Sequence, residues 1–120
     1  MTSLCLIRHG QTAWNADGRI QGQADIPLDE FGVAQAADLA YVLLFKHFDA
    51  IYSSPLLRAL DTAHIIKKKL DIIRDDRLKE RHYGLWQEML ESEVKEKYHD
   101  IWDTNWRLGG PPNGESQSQL

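Results

Sequence analysis

The wholly apolar run Leu4-Cys5-Leu6-Ile7 gives way at once to Arg8-His9-Gly10. Four residues are too few for a helix, and a run with no polar alternation suits a strand buried on both faces. A sheet built from such strands needs layers on either side of it. The next elements supply them. Val33, Ala36, Ala37, Ala40, Leu43 and Leu44 recur at helical spacing and predict an amphipathic helix ending near Lys46. Asp49-Ala50-Ile51-Tyr52 reads as a second strand. Ser54-Pro55 then offers a hydroxyl N-cap with proline at the first helical position, and Leu56, Ala59, Leu60, Ala63, Ile66 and Leu70 stripe the helix it opens. Ile72 and Ile73 allow a third strand. Leu90, Val94 and Tyr98, with Glu91/Lys95 and Glu93/Lys97 as i,i+4 pairs, predict a further helix over residues 87–98. Asn15, Asp17, Gly18 and Gly22 read as one polar loop and residues 109–114 as another. Strands alternating with helices predict an α/β layered sheet with parallel, right-handed crossovers.

The composition narrows the class. A chain of 120 residues, 42% apolar and 27% charged, is in the range of one ordinary domain. No apolar run approaches the roughly 18 residues of a membrane span, and Met1-Thr2-Ser3 opens without a charged leader, so no membrane partner and a cytoplasmic location are expected. Cys5, the single cysteine, reads as buried filler in a reducing compartment. A net charge of −4 argues against nucleic acid as a partner. Histidines at positions 9, 47, 64, 82 and 99 have no metal-ligand spacing, so neither a catalytic metal nor a cofactor is expected. A homodimer stays open.

The first strand would deliver Arg8 and His9 to its C-terminal end, the edge where open parallel sheets place ligands. A neutral imidazole can attack phosphorus, and a neighbouring guanidinium both grips phosphate oxygens and disfavours protonation of the ring. Gly10 lets the backbone approach a ligand, while Gln11, Thr12 and Asn15 can donate hydrogen bonds. Arg58 in the first turn of a helix works against the macrodipole unless an anion is near; that anion is either Asp61 at i+3 or a bound phosphoryl group. Glu80, between Lys79 and Arg81, reads either as part of a solvated loop or as the carboxyl that protonates a leaving oxygen and later activates water. Lys67, Lys68 and Lys69 read as the charged last turn of a helix rather than a basic patch. Trp102 and Trp106 read as packing against the helix over 87–98, with a substrate lid shared with Arg107 as the other reading.

Together these strings resemble the histidine phosphatase (phosphoglycerate mutase-like) superfamily. Leu6-Ile7-Arg8-His9-Gly10-Gln11-Thr12-Ala13-Trp14-Asn15 is similar to its signature, in which the histidine is transiently phosphorylated. Gly18-Arg19-Ile20-Gln21-Gly22, Asp25-Ile26-Pro27-Leu28 and Gly32 resemble the following segment of the alpha-ribazole and broad-specificity phosphatase branch. Ser53-Ser54-Pro55-Leu56-Leu57-Arg58-Ala59 with Thr62-Ala63, Leu78-Lys79-Glu80-Arg81-His82-Tyr83-Gly84, and Pro112-Asn113-Gly114-Glu115-Ser116 resemble the second, third and fourth motifs in the family's order. The resemblance implies a three-layer α/β/α sandwich with a mostly parallel sheet. It implies His9 as nucleophile, Arg8 and Arg58 as phosphate clamps, Glu80 as acid/base, and Asn15, Gln21 and Gly22 as further phosphate or substrate contacts. Arg81, His82 and Tyr83 stand where the glycolytic mutases continue into substrate contacts.

Family members continue past the Gly-Glu-Ser turn to a second catalytic histidine, and none of His47, His64, His82 or His99 lies in that context. The expectation is therefore the N-terminal part of a single histidine phosphatase domain, residues 1–120, incomplete at the C-terminus. The strand that carries the second histidine would lie between the first two strands. Without it, unpaired backbone groups would cost about 1–3 kcal/mol each, and a truncated form would be poorly active and prone to aggregate. The function expected is hydrolysis of a small phosphorylated metabolite through a phosphohistidine. The alternatives are phosphoglycerate mutase-type transfer, which the Arg81-His82-Tyr83-Gly84 string favours, and a non-catalytic phosphate-binding module.

Overall fold

The computed structural model describes residues 2–68, 70–103 and 111–115. In chain order the elements are α1 (Ala13–Asp17), α2 (Glu30–Val42), β1 (Ile51–Ser53), α3 (Leu57–Ile66), β2 (Ile72–Arg74), α4 (Glu91–Lys97) and α5 (His99–Asp103). One-turn 3-10 segments occupy Asp76–Leu78 and Gly84–Trp86. The strands β1 and β2 pair in parallel, with Ile51 opposite Ile72, Tyr52 opposite Ile73 and Ser53 opposite Arg74. Parallel neighbours cannot be joined by a tight turn, and α3 is the crossover that links them and packs against both. The α/β class with a parallel sheet is as the sequence predicts.

Two clusters form the core. Helix α2 packs on α3, where Ala36, Leu60 and Ile66 are buried. Near α4, Trp86 is fully buried, with the rings of Tyr98 and Trp102 at 5.7 and 6.1 Å from its own, and Val94 is equally enclosed.

Several local expectations are corrected. The opening run is not a strand: Leu4 and Leu6 are 81% and 84% exposed, and Cys5 lies on the surface rather than in the core. An extended segment becomes a strand only when a neighbour bonds its N–H and C=O groups, and none of the described residues does so here. The loop after His9 contains a helix, α1, closed by a reciprocal cap: the Thr12 hydroxyl accepts from the Asn15 N–H and the Asn15 side chain accepts from the Thr12 N–H, each at 3.1 Å. Gly18, at φ 73°, ends it in the left-handed conformation. Helix α2 starts earlier than its apolar stripe because Asp29 Oδ1 accepts from the Gly32 N–H at 2.7 Å, and it stops at Val42. Val33 and Leu44 from the predicted stripe are exposed.

Ser54 does not cap α3 from the expected position. Its hydroxyl accepts from the Leu56 N–H at 3.2 Å, and the helix begins at Leu57, whose N–H donates to Asp25 Oδ1 at 2.7 Å. Lys67 lies beyond the end of α3, and its ammonium donates to the Leu43 carbonyl at 3.2 Å, serving the C-terminus of α2 instead of its own helix. Lys69 lies outside the described residues. The helix over 87–98 is shorter than expected, running only over Glu91–Lys97, and a 3-10 turn at Gly84–Trp86 precedes it. Glu91 pairs with Lys95 at 3.5 Å as expected, whereas Glu93 Oε1 turns back to accept from the Leu90 N–H at 3.1 Å. Among the described residues no helix is long and apolar enough to cross a membrane.

Candidate active site

The reciprocal cap of α1 fixes the turn that follows His9. Thr12, fully buried, donates its hydroxyl proton to Gln21 Oε1 at 2.6 Å, so Asn15 and Gln21 are anchored through one side chain. Gly22 follows at φ 55°, a conformation that favours glycine, and a Cβ there would meet Gln87 Oε1 at 2.5 Å and the Tyr83 N at 2.9 Å. Gln87 Oε1 in turn accepts from the Gln23 and Tyr83 N–H groups at 3.1 and 3.2 Å. The loop after α1 is thereby clamped to the third motif.

His9 is half-buried, and its Nδ1 lies 2.6 Å from the Gly10 carbonyl. A carbonyl can only accept, so Nδ1 carries the hydrogen and the neutral ring has its lone pair on Nε2. Burial holds the His9 pKa below the usual histidine range, and the Arg58 and Arg8 cations push the same way against the Gly10 bond and the Glu80 carboxylate. His9 is therefore a neutral base at pH 7. The Gly10 N–H donates to Thr62 of α3, which brings the His9 segment onto the helix that carries Arg58.

Arg58 is 3% exposed, and it does not pair with Asp61. Its guanidinium donates through Nη1 to the Ala24 carbonyl at 2.8 Å and through Nη2 to the Gly22 carbonyl at 2.5 Å. These bonds use two of about five N–H donors in a fixed fork, so the orientation of the cation is set by the backbone of residues 22–24. Burial lowers the Arg58 pKa, with Glu80 and Asp25 opposing, and a guanidinium stays charged through such a shift. Arg8 is exposed. Glu80 is exposed as well, with Oε1 accepting from the Arg81 N–H at 2.9 Å. The Arg81 guanidinium carbon lies over the Tyr83 ring at 4.9 Å.

Arg8, His9, Asn15, Gln21, Gly22, Arg58, Glu80 and Tyr83 line one cavity of about 430 Å³, whereas Gln11, Thr12, Arg81 and His82, also named from the sequence, are not among its lining residues. Arg19, Ile20, Glu91 and Trp102 complete its wall. Trp102 packs on the α4 side, its ring under the Lys95 ammonium at 5.2 Å, and it also lines the cavity. Trp106 and Arg107 lie outside the described residues. The turn at 112–115 docks on the third motif: Leu85 N–H donates to the Pro112 carbonyl at 2.9 Å, Glu115 N–H to the His82 carbonyl at 2.7 Å, and His82 N–H to Glu115 Oε2 at 3.1 Å.

Sequence reasoning placed Thr62 in the second motif but gave its hydroxyl, one turn after Arg58, no role. It missed Arg19 and Glu91, which stand in ordinary charged company. Among the described residues no group of three or more His, Cys, Asp and Glu side chains is gathered as a metal site.

Residues 4–120 match the profile of the histidine phosphatase superfamily, branch 1. The chain is 47% identical over 100 residues to phosphoserine phosphatase 1 of Hydrogenobacter thermophilus, covering 82% of this chain and 47% of that protein. It is 37% identical over 124 residues to 2,3-bisphosphoglycerate-dependent phosphoglycerate mutase 2 of Gloeobacter violaceus, covering 97% of this chain and 57% of that protein. The crystal structure of the alpha-ribazole phosphatase from Shigella flexneri superposes with a TM-score of 0.85 at 31% identity, covering 93% of this chain and 58% of that one. The chain spans about half the length of the relatives it matches. With residues of its first three motifs meeting around one cavity and its fold shared with these proteins, the chain belongs to branch 1 of the histidine phosphatase superfamily.

Proposed function

We propose that this protein hydrolyses a small phosphomonoester through a phosphohistidine at His9. The observation that carries the reading is the state of His9: a half-buried ring with its hydrogen on Nδ1, in a cavity that it shares with the Arg8 and Arg58 guanidinium groups and the Glu80 carboxyl. The Nε2 lone pair attacks phosphorus as the P–O bond to the alcohol breaks, and Glu80 in its acid form gives the alkoxide its proton. Water then attacks the phosphohistidine, Glu80 takes the proton, and the P–N bond breaks to release inorganic phosphate. Arg8 and Arg58 hold the equatorial oxygens of both transition states, where most of the rate gain arises. Asn15, Gln21, Gly22 and Tyr83 bound the same space and contact the substrate. A lone cysteine accords with a cytoplasmic setting for this chemistry.

The relatives named phosphoserine phosphatase and phosphoglycerate mutase supply the two ends of one scheme, since a mutase returns the phosphoryl group to a substrate alcohol where a phosphatase gives it to water. Incubating the purified protein with p-nitrophenyl phosphate tests the reading. Release of inorganic phosphate, an acid-labile phosphoryl label on the wild type, and loss of both in His9→Ala are expected. A His9→Ala protein that hydrolyses and labels like the wild type overturns it.

A further inference from the structure

We propose that Gln87 is a positioning residue for Arg58, acting through the Gly22–Gln23 peptide that the two side chains hold from opposite sides. The inference rests on the hydrolase reading for what Arg58 does to a phosphoryl group, and it adds a residue to that machinery from outside the cavity. Residues 21–24 form a tight turn closed by the Ala24 N–H, which donates to the Gln21 carbonyl at 2.9 Å. The central unit of the turn is the Gly22–Gln23 peptide, whose carbonyl and N–H point in opposite directions because the bond is trans. The carbonyl accepts from Arg58 Nη2 at 2.5 Å, and the N–H donates to Gln87 Oε1 at 3.1 Å. One planar unit thus lies between the Gln87 amide and the Arg58 guanidinium.

The peptide needs both partners. Gly22, at φ 55°, gives it more rotational freedom than a residue with a side chain would. Arg58 alone cannot fix it, because the guanidinium takes its own aim from the Gly22 and Ala24 carbonyls. Gln87 supplies the outside reference. Its Oε1 also accepts from the Tyr83 N–H at 3.2 Å, which registers the turn against the third motif, where Glu80 and Tyr83 line the cavity. Rotation of the peptide would set the Gly22 carbonyl against Gln87 Oε1, acceptor to acceptor, and the Gln23 N–H against the Arg58 cation, donor to donor. Gln87 itself does not line the cavity, so it acts on a bound phosphoryl group only through the groups it holds. Methionine in its place keeps the length of the side chain and removes the oxygen acceptor.

The test is a double-mutant cycle of Gln87→Met with Arg58→Lys. It is read as inorganic phosphate affinity by calorimetry and as kcat and KM for p-nitrophenyl phosphate, with urea unfolding confirming that each variant is folded. Gln87→Met is expected to weaken phosphate binding about fivefold and to lower kcat more than it raises KM. In the Arg58→Lys protein, whose ammonium cannot span the two carbonyls, the same change is expected to alter phosphate affinity by less than about twofold. A purely structural glutamine would weaken binding by the same factor in both backgrounds. Should Gln87→Met not fold, Gln87→Asn, which draws the acceptor back by one methylene, takes its place in the cycle. Equal factors in the two backgrounds, or no loss in either, overturn this inference alone. A wild type that neither binds inorganic phosphate nor releases it from the ester overturns the hydrolase reading, and this inference with it.

Discussion

The backbone N–H of Gly10 donates to the Thr62 hydroxyl at 3.2 Å, across 52 residues of chain, and that hydroxyl donates its own proton to the Arg58 carbonyl at 2.7 Å. One oxygen, 4% exposed with its residue, thus ties the neighbour of His9 to the backbone of Arg58. Thr62→Val keeps the shape and removes both bonds, leaving the part-buried Gly10 N–H without this acceptor at a cost of about 1 kcal/mol, measurable as a shift in the urea midpoint. Since the bond positions His9 rather than touching substrate, kcat should fall more than KM rises. Thr62→Ser, which restores the hydroxyl, should recover most of the rate; a Ser variant as slow as the Val variant would show that Thr62 acts only through packing.

His9 sets a pH signature. In the unfolded chain its imidazole titrates near 6.5, and in the fold, burial and the two arginines hold it lower. Below pH 6.5 the unfolded chain therefore takes up a proton that folded His9 refuses. The contribution of His9 to stability is complete above that point and declines as pH falls through the folded pKa. His9→Gln should flatten this part of the stability profile. The same depression puts the acid limb of kcat/KM below pH 6.5, and an NMR titration of the His9 ring that gives a midpoint above 6.5 would contradict both expectations.

Arg58→Lys is the substitution that separates charge from geometry. A lysine keeps the cation but cannot bridge the Gly22 and Ala24 carbonyls with a planar fork while facing the cavity. The variant should lose about 1–3 kcal/mol of folding stability for a buried carbonyl left unpaired. It should also bind inorganic phosphate at least about tenfold more weakly. Equal phosphate affinity in calorimetry would show that the fork is structural only.

The candidate site was legible in the chain where residue type and order carry it. His9, Arg8, Arg58 and Glu80 are few and chemically specific, and their motifs put them in one cavity without any knowledge of their contacts. Local geometry was less legible where a hydrogen bond from far along the chain decides it. Helix α3 starts at Leu57 because Asp25, 32 residues earlier, accepts from its N–H, and helix α1 hides in a polar segment because its stability comes from the Thr12–Asn15 cap and not from an apolar stripe. The opening run misled for a related reason. Apolar character states that a segment would gain from burial, but whether Leu4 and Leu6 are covered depends on what else is beside them. Arg19 and Glu91 escaped because charge on an exposed segment is the ordinary case, and only the Arg19–Leu90 bridge and the Glu91 N–H bond to the Gly18 carbonyl bring their segments together at the cavity.

Gly10 and Gly32 give the sharpest packing test, because each stands where the other's chain leaves no room for a side chain. A Cβ on Gly10 would meet the Gly32 carbonyl oxygen at 2.5 Å, and a Cβ on Gly32 would run into the Gln11 carbonyl. The two backbones are held at that distance by Asp29, which caps α2 through the Gly32 N–H and accepts from Gln11 Nε2 at 2.9 Å, while its own N–H donates to the Gln11 carbonyl at 2.9 Å. Alanine at either position must push the His9 loop off α2, since the opposing atoms are backbone and cannot rotate away. Each single variant should lose about 1–3 kcal/mol, the usual cost of overpacking. The paired variant should cost less than the sum, because once one alanine has opened the gap the second enters space already made. Chemical denaturation of the two singles and the double measures this, and strictly additive losses would mean that the loop and the helix are held apart by something other than this contact.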